Sequence, residues 1–294
     1  MTPTISIAQT QPSRRPTAAA WWLFAPLGAW LLLFVVIPTF LLFIYSFFRG
    51  VGVGEVEFTF TPSNYLHVFD PASRRIFVRS ICYAGLTTVL CALIGYPVGY
   101  CIGRASERRR NQLLLLVMIP FWTNFLIRTY AWYTILQRQG LLNGMLQSLH
   151  LIPSVIHAPL DLLYSPTAVI ITLVYTYLPF MILPIYGSVE KLDNTLLEAA
   201  ADLGAGPLRS FWRITLPLTV PGIGAGVLMV FVPAIAMFAV TSLMGGSKIP
   251  LIGDEIHDQF QSAGNLPFGS ALGMTLLALF MVTFWLTTRA KEKA

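Results

Sequence analysis

Apolar runs long enough to cross a lipid bilayer recur along this chain of 294 residues. A helix needs about 20 residues to span a hydrocarbon core of about 30 Å, and six runs reach that length: residues 21–47, 77–102, 113–136, 167–188, 216–243 and 268–288. Hydrophobic residues make up 55% of the chain, charged residues make up 11%, and the mean hydropathy is +0.69, which is not typical of a soluble domain. The sequence therefore predicts an all-α membrane protein with six transmembrane helices.

The segments between these runs differ in basic residues, which are enriched on the cytoplasmic side of membrane proteins. If the N-terminus is cytoplasmic, 12 of the 19 lysines and arginines fall on inner segments and 6 on outer segments, with the sharpest excess in RASERRR, residues 104–110. We therefore expect both termini in the cytoplasm, residues 1–20 as a disordered tail and residues 21–294 as one transmembrane domain. The net charge of +6 then reflects topology, and we do not expect nucleic acid as a partner.

Several chemistries lack the residues that they need. No GxxxxGK[ST] phosphate-binding loop occurs, so we do not expect this chain to hydrolyse ATP itself. The sequence also offers no nucleophile with a base, no paired carboxylates within the runs and no histidine or cysteine spacing of a metal site. We therefore expect no catalytic residue and no bound metal.

Two local patterns predict packing and strand structure. In the second run, Gly95, Gly99 and Gly103 recur every four residues, a spacing that lets a neighbouring helix approach closely. After the first run, the segment RGVGVGEVEFTF, residues 49–60, alternates in polarity and predicts a short strand or extended piece.

A polar segment interrupts the apolar pattern between the fourth and fifth runs, on the predicted cytoplasmic side. Thr195 and Glu198 have the spacing of a capping box, which predicts a helix that starts there. Gly204 and Gly206 favour a turn, and Pro207 suits the first turn of a second short helix. The segment, at about residues 195–217, is interpreted as two short helices joined at a glycine elbow. An amphipathic helix lying on the inner leaflet is the simpler alternative.

The elbow contains the pattern EAA-x3-G-x9-I-x-LP. Every defined position is matched, at Glu198, Ala199, Ala200, Gly204, Ile214, Leu216 and Pro217. This pattern resembles the EAA loop of ABC importer permeases. The resemblance implies a type I ABC importer permease fold, in which the elbow is a cytoplasmic coupling helix docked in a groove of a separate ATPase subunit. Glu198 and Asp202, four residues apart, can then reach basic or backbone donors on that subunit.

Two longer segments carry a more specific resemblance: IPFWTNFLIRTYAWYTILQRQGLLN, residues 119–143, and SLMGGSKIPLIGDEIHDQFQSAGNLPFGSALG, residues 242–273. They are similar to the B-type membrane subunit of spermidine/putrescine (polyamine) importers. The resemblance implies a bacterial inner-membrane protein that pairs with a homologous C-type permease, two copies of an ABC ATPase and a periplasmic substrate-binding protein. This chain would hold no cofactor, since the ATPase binds ATP and Mg²⁺. Related permeases import opines, phosphonates, thiamine or ferric ion, and a structural membrane scaffold is the alternative of a different class.

The predicted route for a polyamine depends on which polar and aromatic side chains lie within the membrane spans. All 13 carboxylates lie outside the six runs, so aromatic faces and carbonyl dipoles would hold the cation, although aromatic residues near span ends also form interfacial belts. Arg128, inside the third run, is costly to bury. We expect it to form an ion pair or gate with a partner carboxylate, or to bind the cargo if that cargo is an anion. The candidates for the path are Trp122, Asn124, Arg128, Tyr130, Trp132, Tyr133, Tyr175 and Tyr177.

An acidic cluster precedes the last run. Asp254, Glu255 and Asp258 are candidates for an outer mouth that collects cations or docks the binding protein. A solvated helix face, with Asp254 and Asp258 one turn apart, is the alternative.

Overall fold

The fold is a bundle of helices with one small hairpin. In a computed structural model of the chain, residues 18–148, 160–246 and 248–292 are described. The α-helices of these residues are α1 (Ala18–Leu31), α2 (Ile37–Tyr45), α3 (Ser63–Val68), α4 (Pro71–Arg104), α5 (Glu107–Met118), α6 (Phe125–Leu136), α7 (Leu141–Ser148), α8 (Pro166–Glu190), α9 (Asn194–Asp202), α10 (Pro207–Ser210), α11 (Leu216–Ile235), α12 (Ala239–Gly245), α13 (Ile252–Gln261) and α14 (Leu266–Glu292). π-helical turns at Leu32–Val36 and Phe211–Thr215 join α1 to α2 and α10 to α11. The predicted tail, residues 1–20, lies outside the described residues except for its last three, which belong to α1.

The predicted membrane architecture is confirmed. Within the described residues, five stretches are long and apolar enough to cross a membrane: Ala25–Tyr45, Pro71–Arg104, Pro166–Glu190, Pro207–Ile235 and Leu266–Trp285. The third predicted run supplies the sixth as a bent pair of helical stretches, Glu107–Trp122 and Phe125–Ser148, with an angle of 90° between them.

The third span is therefore not the continuous helix that its hydropathy predicts. Pro120 lacks a backbone N–H, and the chain tightens there into a 3₁₀ turn at Ile119–Trp122. The Thr123 hydroxyl donates to the Pro120 carbonyl oxygen at 2.6 Å. Asn124 Oδ1 then accepts from the Leu126 N–H at 2.8 Å and caps α6. Polar groups thus end one helix and start the next in the middle of an apolar run.

The fifth span ends earlier than predicted, at Ile235 instead of residue 243. Pro233 lies in its last turn, and the Pro233 carbonyl oxygen accepts a hydrogen bond from the Tyr177 hydroxyl at 3.1 Å. The separate helix α12 follows after a short break. The apolar run thus continues through a change of helix that hydropathy does not reveal.

The centre of the bundle is formed by α4, α8 and α11, which share the most extensive helix packing. Three glycines of α4, at positions 95, 99 and 103, face α8, where an added methyl group would collide with side chains. The distances from such a Cβ are 3.0 Å from Gly95 to Met181 Cγ, 2.9 Å from Gly99 to Ile185 Cγ2 and 2.6 Å from Gly103 to Val189 Cγ1. The predicted close approach of a neighbouring helix is therefore confirmed, and that helix is α8.

Two elements lie outside this centre. The strands β1 (Arg49–Gly52) and β2 (Glu55–Glu57) form an antiparallel hairpin, which confirms the predicted extended segment. The hairpin is fixed to the turn before α14 by a 3.0 Å bond from the Gly54 N–H to the Gly264 carbonyl oxygen. The first span packs along α14, but no residue of its most apolar window is buried within the chain.

Candidate coupling elbow and transmembrane path

The elbow begins with a capped helix. Asp193 is the N-cap residue of α9, and its Oδ1 accepts from the Thr195 N–H at 2.9 Å. Hydrogen bonds from the Thr195 backbone and hydroxyl hold the pKa of the Asp193 carboxyl below its usual value. The predicted capping box of Thr195 and Glu198 is therefore wrong in register, because the carboxylate two residues earlier satisfies the free N–H groups of the first turn.

A glycine ends this helix and turns the chain. Gly204 has a φ of +78°, in the left-handed region that favours glycine. The Gly204 N–H donates to the Ala201 carbonyl oxygen and the Ala205 N–H to the Ala200 carbonyl oxygen, each at 2.9 Å. These two bonds form a Schellman motif. The predicted glycine elbow is thus present, and its shape is fixed by backbone hydrogen bonds.

The second helix of the elbow is continuous with the fifth span. Pro207 lies in the first turn of α10, as the sequence predicts, but α10 runs through the π-helical turn directly into α11. Pro217 therefore lies within a continuous helical path and does not open a new one. At the other end, only residues 191–193 separate α8 from α9. Both ends of the elbow are thus joined to the central helices by short connections.

The tip of the elbow presents apolar side chains away from the bundle. Leu203 is 88% exposed, Leu208 is 72% exposed and Trp212 is 61% exposed. The sequence marks these three only by their positions near Gly204 and Pro207. Of the pattern residues and their neighbour Asp202, Ala200 is buried, Ile214 and Leu216 are half-buried, and Glu198, Ala199, Asp202, Gly204 and Pro217 are exposed. Exposed apolar side chains of this size offer a surface that lipid or another protein can cover.

Four aromatic candidates for the substrate path lie in three separate contacts. Trp132 and Tyr175 pack edge to face, with ring centroids 5.3 Å apart. The Tyr133 hydroxyl lies 2.8 Å from the Tyr164 hydroxyl. Tyr177 is buried, and its hydroxyl donates to the backbone of α11. The structure thus gives each of these candidates a local contact, and their role in a substrate path stays a prediction.

The other candidates surround the break in the third span. Trp122 is 75% exposed and Tyr130 is 53% exposed, whereas Asn124 caps α6. The Nε and Nη1 atoms of Arg128 are buried without a hydrogen-bond partner in the described residues, and its guanidinium carbon lies 5.2 Å from the ring centroid of Phe121. Arg128 thus has a cation–π neighbour within the chain and no carboxylate partner among the described residues.

The three carboxylates of the acidic cluster near the last span differ in burial. Asp254 is buried, and its carboxylate accepts from the Ser242 hydroxyl and the Leu251 N–H, both at 2.9 Å. Burial raises the pKa of the Asp254 carboxyl, although hydrogen bonds oppose the rise. Glu255 accepts from the Gln259 amide at 2.8 Å, and Asp258 is exposed. Asp254 therefore stabilises the first turn of α13 and does not share the surface predicted for all three carboxylates.

A bundle of membrane spans with an EAA-pattern elbow between the fourth and fifth spans defines the membrane subunit of a type I ABC importer. The same fold occurs in a chain of a bacterial ABC transporter involved in the import of the acidic polysaccharide alginate. The two structures have a TM-score of 0.76 at 17% identity, covering 94% of this chain and 96% of that chain.

The chain belongs to the family of binding-protein-dependent transport system inner membrane components, whose model matches residues 17–292. It is 43% identical over 264 residues to the spermidine/putrescine transport system permease protein PotB of Haemophilus influenzae, covering 90% of this chain and 91% of that protein. It is 42% identical over 267 residues to PotB of Escherichia coli, covering 90% and 96%. The inner membrane ABC transporter permease protein YdcU of Escherichia coli is 31% identical, covering 77% and 74%. The chain is thus a multi-pass inner-membrane permease subunit.

Proposed function

We propose that this permease subunit serves an ATP-driven importer of polyamines, putrescine and spermidine. The observation that carries the proposal is the identity of 42% and 43% to PotB proteins over 90% of this chain. The exposed rings of Trp122 and Tyr130, beside the break in the third span, offer faces to which a polyamine ammonium group binds by cation–π attraction. Arg128 favours a second candidate, a small anionic solute such as a phosphonate, because two of its buried nitrogens lack partners in the described residues.

The assembly that we propose contains a homologous C-type permease, two copies of an ABC ATPase that bind ATP and Mg²⁺, and a periplasmic substrate-binding protein. Two surfaces of this chain support such partners. The first span is exposed along its apolar window and offers a membrane-embedded face to the second permease. The apolar tip of Leu203, Leu208 and Trp212 offers a face to the ATPase.

The orientation that we propose places both termini in the cytoplasm. The contact between Arg110 and Glu190 joins the corner between α4 and α5, which holds the RASERRR segment, to the corner between α8 and α9. The strongest cluster of basic residues and the elbow therefore lie at the same end of the bundle. Basic residues are enriched on the cytoplasmic side, where ATP is also available.

The elbow then acts as the coupling helix. When the ATPase subunits close on ATP, they displace the docked tip, and the short connections to α8 and α11 pass the displacement into the membrane. Because α4, α8 and α11 touch at glycines with little free space, the three helices move together instead of absorbing the motion. Glu198 and Asp202 on the exposed side of α9 provide carboxylates for donors in the ATPase groove.

Uptake by the reconstituted complex tests the cargo. The complex with its ATPase, second permease and binding protein is placed in liposomes, and accumulation of labelled putrescine and spermidine is measured with and without internal ATP. The proposal expects ATP-dependent accumulation that unlabelled polyamine suppresses and that thiamine or phosphonate does not. Suppression by phosphonate alone would replace the polyamine with the anionic candidate. A chain that copurifies with no ATPase would instead be a structural scaffold.

A further inference from the structure

We propose that two polar contacts, together called the cytoplasmic clamp, are positioning elements that pass motion of the coupling helix to the broken third span. The clamp consists of the Arg110–Glu190 and Arg104–Asn194 contacts. It joins the corner between α4 and α5 to the corner between α8 and α9. The inference rests on the proposed role of the elbow and adds a route for the motion that covalent connectivity does not provide.

The first contact of the clamp is an ion pair. Arg110 Nη1 lies 2.8 Å from Glu190 Oε1, and the two side chains are 26% and 37% exposed. Within the described residues, this is the only pairing of an arginine or lysine with a carboxylate. Among the residues that the structure describes, this single arginine–carboxylate pair thus lies at the base of the elbow.

The second contact holds the start of the coupling helix. Arg104 Nη1 donates to Asn194 Oδ1, and Asn194 is the first residue of α9. The guanidinium carbon of Arg104 lies 5.8 Å from the ring centroid of Tyr100, and its Nε and Nη2 atoms are buried. Arg104 is the last residue of α4, so this bond connects the end of one central helix directly to the coupling helix.

The packing beneath the clamp keeps the two corners in register. A Cβ at Gly103 would lie 2.6 Å from Val189 Cγ1, so the ends of α4 and α8 touch without intervening side-chain volume. Each residue of this touching pair is the chain neighbour of a clamp residue. The corners therefore cannot slide past each other while the two polar contacts persist.

This geometry gives the elbow a connection that the chain itself lacks. The covalent ends of the elbow lead to α8 and α11, whereas Arg110 lies in the first turn of α5, the inner half of the broken third span. Displacement of the corner between α8 and α9 therefore also moves α5, which leads directly into the break at Ile119–Trp122. The exposed rings and the unpartnered nitrogens of Arg128 lie around that break. The clamp thus links the ATPase side to the part of the path that can change shape.

Charge reversal tests the ion pair in the assembled complex. We expect Arg110→Glu and Glu190→Arg each to lower the amount of solute transported per ATP hydrolysed by about two- to fivefold, the range that a partly exposed ion pair supports. The double variant, with the charges exchanged, is expected to recover most of the loss. Arg109→Glu is the matched control, since Arg109 is an exposed neighbour in the same helical turn, and it is expected to leave the ratio unchanged.

A second readout does not depend on the cargo. After the three native cysteines are replaced, spin labels are attached at Gln112→Cys in α5 and Leu196→Cys in α9, both exposed positions. The clamp predicts a single label distance that stays fixed between nucleotide-free and ATP-bound complexes. In the Arg110→Gln variant, we expect that distance to broaden or shift when ATP binds.

The outcomes separate the clamp from the proposed function. Wild-type complexes that accumulate no polyamine would contradict the proposed cargo, and the label distance would still report on the clamp. Single charge reversals that leave the transport ratio unchanged, or a double variant as impaired as the singles, would overturn the clamp. A label distance that is equally fixed in wild type and in Arg110→Gln would also overturn it.

Discussion

Replacement of Gly204 by aspartate tests two properties of the elbow, the backbone conformation at this residue and the surface that docks on the ATPase. Gly204 has a φ of +78°, and a Cβ added there would meet no atom within 4 Å. The cost within this chain is therefore conformational and not steric. An L-residue in the left-handed region costs about 1–2 kcal/mol, which lowers the ratio of formed to unformed elbow by about 5- to 30-fold. Since the bundle is untouched, we expect Gly204→Asp to insert normally and to transport poorly because its side chain obstructs docking.

Variants with alanine or asparagine at the same position distinguish the two possible causes of impaired transport, backbone strain and obstructed docking. Asparagine and aspartate tolerate the left-handed region better than alanine does. If backbone strain alone governs coupling, Gly204→Ala is therefore the most impaired variant. If close contact with the ATPase governs it, Gly204→Asp is the most impaired and Gly204→Ala the least. The control is Gly206→Ala, because Gly206 has an ordinary φ of −66° and equally open surroundings.

Uptake per ATP hydrolysed and recovery of the ATPase with the tagged permease are measured for each variant. We expect Gly204→Asp to lose both and Gly206→Ala to resemble wild type. Normal uptake by Gly204→Asp, with the ATPase recovered in full, would show that the elbow does not dock at this residue. Greater loss in Gly204→Ala than in Gly204→Asp would assign the effect to strain and refute the docking argument.

Three further predictions concern the membrane domain. Gly222→Val is expected to lower the melting temperature of the detergent-solubilised chain, because the added Cβ would lie 2.6 Å from the Pro184 carbonyl oxygen and overpacking costs about 1–3 kcal/mol; Gly224→Val, in open surroundings, is the control. Asp254→Ala is expected to cost about 1–3 kcal/mol in thermal unfolding by orphaning a buried N–H group. The pKa of Asp254 is higher in the folded state than in the unfolded state, so between these two pKa values the folded state keeps a proton that the unfolded state has lost. The free energy of unfolding therefore falls as pH rises through that window, which begins at about 3.9, and Asp254→Asn is expected to remove that slope. Arg128→Ala is expected to reduce uptake without loss of stability, and unchanged uptake would exclude Arg128 from the path.

Much of the fold is predictable because the number and approximate position of membrane spans follow from the length and hydropathy of the apolar runs. The glycine spacing at Gly95, Gly99 and Gly103 likewise predicts a close neighbour, since only the absence of a side chain permits such an approach. Gly204 and Pro207 predict the elbow because their backbone preferences are local. Each of these signals depends on residues within a few positions of one another.

Prediction from the sequence is wrong or silent where the structure depends on which of several nearby residues makes a contact, or on contacts between residues far apart in the chain. Asp193 and Thr195 are both good capping residues, and only the path of the chain decides which one caps α9. The break in the third span was signalled by Pro120 and Asn124, but the apolar run around them concealed it. Arg110 and Glu190 lie in different corners of the bundle, and nothing in the local pattern of either predicts the other.

The elbow can act as a lever only if the structure beneath it is stiff. A displacement at Leu203 reaches the membrane undiminished when the connections are short and the helices below cannot slide. The connections are short here, because only residues 191–193 separate α8 from α9 and the fifth span continues the elbow as one helix, Pro207–Ile235. The close contact of Gly103 with Val189 opposes sliding of α4 against α8. The bend of 90° in the third span is the opposite case, because its two halves share no continuous helical hydrogen bonding. When the elbow and the central helices move, we therefore expect the largest change of shape at that bend, because no continuous helix holds its two halves together.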